Sequence, residues 1–78
     1  MILTKIQQEK IRRKFKLSNQ EMKIVKYIFE GCVTDIDLSK RMNVSLLTTK
    51  GYLHSIYLKT RTGKKISALL KCLDCLDL

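Results

Sequence analysis

Between residues 45 and 60 the chain sets hydroxyls, ammonium groups, an imidazole and a glycine at helical spacing. Hydroxyls such as Ser45 and Thr48 donate to anionic oxygens. Lys50 and His54 can donate to the N7 or O6 of a purine, and Leu47 can meet a methyl group. Projected at 100° per residue from Leu53, positions Leu46, Thr49, Ile56, Tyr57 and Thr60 fall within about 60° of it. The opposite arc gathers Leu47, Thr48, Gly51, His54, Ser55 and Leu58, with Lys50 and Lys59 at its edges. No acidic residue occurs between Asp37 and Asp74. An acid-free run around a helix with short polar side chains suits a polyanion. The plainer alternative is an ordinary solvated surface helix.

The neighbouring elements must hold that arc open. Residues 35–60 read as two helices joined at Asn43-Val44-Ser45, a turn residue, an apolar plug and an N-cap for the second helix. Thr34 caps the shorter helix, Asp35 and Asp37 complement its positive end, Leu38 and Met42 form its buried stripe, and Lys40 and Arg41 lie outside it. Before them, Ser18-Asn19-Gln20-Glu21 is a capping box, with Leu17 as a staple. The helix it starts runs to Glu30, where Gly31 provides a left-handed stop. Its core face is Met22, Ile24, Val25, Ile28 and Phe29; Lys23, Lys26, Tyr27 and Glu30 share the other.

Arg61-Thr62-Gly63 then breaks the pattern, and a last helix is expected over about residues 64–76. Its apolar arc, from Ile66, Ala68, Leu69, Leu70, Cys72, Leu73, Cys75 and Leu76, spans about 220°. Ser67, Lys71, Asp74 and Asp77 mark its polar edge. One small core is expected to cover only part of this arc, leaving Ile66, Leu69, Leu70, Cys72, Leu73 and Leu76 to pack on a second copy. Residues 1–16 hold six basic residues against Glu9 alone. They read as a basic arm or short helix, lying along phosphates or solvated at the terminus.

Composition narrows the function classes. Seventy-eight residues with a net charge of +9 and a pI near 9.8 make one domain that favours nucleic acid or an anionic surface over acidic metabolites. No apolar run approaches the ~20 residues that span a bilayer, and residues 1–15 lack a signal-peptide apolar stretch, so a cytoplasmic, nucleoid-associated protein is expected. Cys72 and Cys75 have the spacing of half a zinc site, but no second pair exists. Packing is the main reading of these cysteines, ahead of an intersubunit disulfide, a redox role or a metal. With one histidine, no carboxylate pair and no glycine-rich phosphate loop, neither an enzyme nor a cofactor is expected.

The stretches LSNQEMKIVKYIFEG (17–31), LSKRMNVS (38–45), TTK (48–50), IYLK (56–59) and the late Ala68 together resemble the LuxR-type helix-turn-helix domain over about residues 17–70. With no receiver or sensor domain ahead of them and a short apolar helix expected at the end, they look most like its stand-alone, GerE-like subgroup. The resemblance implies an all-α, four-helix domain over 17–78, with room for an extra short N-terminal helix. It also implies a bacterial transcription regulator that binds double-stranded DNA as a homodimer, with helix 45–60 in the major groove and the last helix, about 64–76, at the dimer interface. Carried over by position, Ser45, Thr48, Lys50 and Lys59 are DNA contacts. Gly51 and His54 stand where other members read bases, and Leu47, Lys40 and Arg41 complete the expected surface, with Lys64 and Lys65 adding charge. Thr49, Tyr52 and Thr60 depart from the family's valine, histidine and leucine, and one extra residue lies between Gly31 and Leu38. The alternative from another class is a protein–protein module that pairs with a larger regulator of this type and modulates it.

Overall fold

The computed structural model describes residues 1–76, which form five helices and no strand: α1 (Lys5–Phe15), α2 (Asn19–Phe29), α3 (Asp35–Met42), α4 (Leu46–Thr60) and α5 (Lys65–Cys75). The fold is all-α. Local chemistry sets most of the boundaries. At α2 the Ser18 hydroxyl accepts the Glu21 amide at 3.1 Å, and the Glu21 carboxylate accepts the Ser18 amide at 2.7 Å. Thr34 and Ser45 cap α3 and α4 by accepting the amides of Asp37 and Thr48. Gly31, at φ +101°, follows α2 in a conformation that few other residues adopt. Lys16, Asn43 and Arg61 close α1, α3 and α4 in the left-handed region at φ 55°, 57° and 58°. The break after α4 therefore begins at Arg61, as the Arg61-Thr62-Gly63 stretch leads one to expect.

The N-terminal segment is a structured part of the domain. Thr4 opens α1 with a capping box, its hydroxyl accepting the Gln7 amide while the Gln7 side chain accepts the Thr4 amide. Leu3 and Ile11 are buried in the same core as Ile24, Val25, Leu38, Leu53, Ile56 and Cys72. The Met1 backbone nitrogen donates to the Phe29 carbonyl at 2.8 Å. The main contacts of α1 are with α2 and α5, whereas those of α3 are with α2 and α4.

This arrangement resolves the wide apolar arc of the last helix differently from the sequence expectation. Ala68 and Cys72 face the core, and the Cys75 thiol points at the Lys10 carbonyl of α1, 3.8 Å away. Cys72 is fully buried, so it cannot line a surface for a second copy; burial and the neighbouring Cys75 push its thiol up to about 12. Leu69, Leu73 and Leu76 are half-buried against the core, and only Ile66 and Leu70 stand largely exposed. Much of the surface assigned to a second copy is thus covered within the chain. Asp77, expected at the polar edge, lies outside the described residues.

Candidate nucleic-acid interface

Two buried threonines explain how α4 keeps one side in the core despite its hydroxyls. Thr49 donates to the Ser45 carbonyl at 3.1 Å and Thr60 to the Ile56 carbonyl at 2.8 Å, so each polar group is satisfied one turn back. Together with Leu53 and Ile56 they form the buried stripe. Leu46 falls on this side by projection but remains partly exposed, at the edge of the packed surface.

The opposite face is open. Thr48, Lys50, Gly51 and His54 are exposed, and Leu47 and Leu58 are among the most exposed large apolar residues of the domain. At the N-terminal end, the Ser45 hydroxyl accepts the Thr48 amide and gives its own proton to the Thr48 hydroxyl at 2.9 Å. Ser45 is therefore occupied within the helix start, and Thr48 carries the hydroxyl proton that can be directed outward. The first-turn amides of Leu46 and Leu47 precede the helical ladder and add partial positive charge at the same place. A Cβ built on Gly51 would meet nothing within 4 Å, so no packing contact in the domain requires glycine there.

Several cations expected on this surface are held by the domain's own carboxylates. Lys59 donates to Glu21 Oε1 at 2.6 Å, the oxygen that also accepts the Ser18 amide. Burial pushes the Glu21 carboxyl up, but hydrogen bonds from Lys59, the Ser18 amide and Ser55, with the charge of Lys59, outweigh it and leave the group below its ordinary value. Arg41 donates to Glu30 at 3.1 Å and lies 4.0 Å from the centre of the Tyr27 ring, a cation–π contact tying α3 to α2. Lys65 donates to Asp35 at 2.6 Å, joining the starts of α5 and α3. Lys59, Arg41 and Lys65 are thus internal ties. Among the described residues Lys40, Lys50 and Lys64 are exposed and have no carboxylate partner.

The acid count shows only that few carboxylates are present to hold the 16 basic residues. What it did not show was which lysine each would choose, since Glu21 and Lys59 are separated by 38 positions. The structure brings Leu47, Thr48, Lys50, Gly51 and His54 together on one open face, with Lys40 on the adjoining α3. Among the described residues no group of three histidine, cysteine or acidic side chains converges as metal ligands would, and no helix is long and apolar enough to cross a membrane. Comparison with protein-family models, curated proteins and solved structures gave no match to this chain.

Proposed function

We propose that the chain is a LuxR-type helix-turn-helix domain of the GerE-like kind, reading double-stranded DNA as a homodimeric bacterial transcription regulator. One observation carries the reading: α4 buries Thr49, Leu53, Ile56 and Thr60 and leaves an acid-free face of Leu47, Thr48, Lys50, Gly51 and His54 open to a partner. In this reading α4, with α3 packed behind it, enters the major groove, which is ~12 Å wide and admits one helix. The start of α4 and the Thr48 hydroxyl meet phosphate, Lys50 and His54 donate to purine edges, and Leu47 contacts a thymine methyl. The bare backbone at Gly51 lets the helix sit close to the bases. Lys40 adds charge to the phosphate contacts. Two copies joined through α5, with Ile66 and Leu70 at the centre, would read half-sites about 10 base pairs apart.

The test is selection of bound duplexes from random DNA, followed by anisotropy titration of the Lys50→Ala variant. Binding to the selected site is expected to weaken by roughly 1–3 kcal/mol. Unchanged affinity would overturn the assignment of the face. The exposed Ile66 and Leu70 also favour the second reading, a module that pairs with a larger regulator. A stable homodimer with salt-sensitive DNA binding disfavours that reading; a monomer that selects no duplex favours it.

A further inference from the structure

Five basic residues against Glu9 give α1 four of the molecule's nine net positive charges, yet the groove that α1 forms has no residue in common with the open face of α4. Ile6, Glu9, Lys10, Arg13, Lys14 and Phe15 of α1 face Lys71, Asp74 and Cys75 of α5 across an open groove of about 1080 Å³. Its apolar lining comes from Ile6, Phe15 and Cys75, and Ile6 is 83% exposed, more than any other large apolar side chain among the described residues. Four cations line the groove against two carboxylates. Glu9 is ion-paired with both Arg12 and Arg13, which hold its carboxyl down at about 2, so its charge is compensated locally.

We infer that this groove is a protein-docking site, and that its occupant is an acidic amphipathic helix of a partner protein. An apolar stripe would cover Ile6 and Phe15, while flanking glutamates and aspartates would meet Lys14 and Lys71. Charge complementarity selects this occupant over a second copy. The chain has 16 cations and only 7 acids, and Glu9, Glu21, Glu30 and Asp35 already serve its own cations. A duplex has no use for an apolar floor, and a flat anionic bilayer does not fill a concave one. The 11 residues of α1 extend for ~16 Å, so an occupant of about 11–15 residues spans the groove.

The test uses the full chain and a fluorescein-labelled peptide of about 15 residues, with leucine along one helical face and glutamate on the others. A scrambled peptide of the same composition and vesicles of phosphatidylglycerol provide the comparison arms. The amphipathic peptide is expected to bind at least about tenfold more tightly than the scrambled one, with backbone amide shifts confined to α1 and α5. Binding should persist when α4 is saturated with duplex DNA. Ile6→Glu, at an exposed position and with circular dichroism as the check on its fold, should weaken binding by about tenfold or more, and Lys14→Glu should do so through charge alone. Equal affinity for the scrambled peptide, full binding by both variants, or binding to the vesicles in preference to the peptide would overturn the proposal.

Discussion

A glycine on the open face of α4 separates two demands on one position. In a solvated helix interior, glycine is destabilising by roughly 0.5–1 kcal/mol relative to alanine, and nothing in the domain crowds a Cβ at Gly51. Gly51→Ala is therefore expected to raise stability by about that amount in urea denaturation, while weakening DNA binding if the bare backbone is needed against the bases. Lys59 gives the complementary case, since its ammonium group compensates the buried Glu21 carboxylate. Lys59→Ala should destabilise the fold by about 1–2 kcal/mol, the loss of one partly screened hydrogen bond to a carboxylate that the Ser18 amide still holds, and this loss should appear in the absence of DNA. The pH dependence has a definite sign. The folded Glu21 lies below its ordinary value, so its contribution is complete above the unfolded carboxylate range and is lost as pH falls through the lower, folded value. Removing the hydrogen bond and charge of Lys59 takes away part of what holds the Glu21 carboxyl down, so acid unfolding followed by circular dichroism should begin at higher pH than in the parent chain.

Among the elements, α1 differs most from its sequence pattern. Its five cations, with Lys16 just beyond, left a basic arm or a short helix open, and the capping box at Thr4 with the buried Leu3 and Ile11 makes it a helix that walls the core. Ile11→Ala should cost about 2–5 kcal/mol, read as a lowered denaturation midpoint, because the side chain is completely enclosed by the folded domain. A merely solvated arm would tolerate the change. The remaining elements were largely legible in the sequence. Ser18 with Glu21, Thr34, Ser45 and Gly31 act through local hydrogen bonds and backbone preference, which sequence spacing records directly. The exposure of Thr48, Gly51 and His54 was legible for the same reason, through helical periodicity. Periodicity could not reveal the second neighbour of α5, nor that Glu21, Glu30 and Asp35 would claim Lys59, Arg41 and Lys65. Those are pairings across the fold, and a one-dimensional pattern carries no record of them.

For the whole molecule, burial divides the three cysteines into different environments. Cys32 and Cys75 are half-buried, whereas Cys72 is sealed at the centre with its thiol pushed up to about 12. Because the thiolate is the reactive form, an alkylating reagent in neutral buffer should modify Cys32 and Cys75 on the folded chain and leave Cys72 untouched. The third adduct then appears only when the helices part. Mass spectrometry of a timed iodoacetamide reaction should show a two-adduct plateau followed by slow conversion to three, at the rate set by global opening. Early addition at Cys72 would mean that α5 lifts off by itself. The molecule thus carries its own unfolding clock, which needs no added dye, tag or substitution.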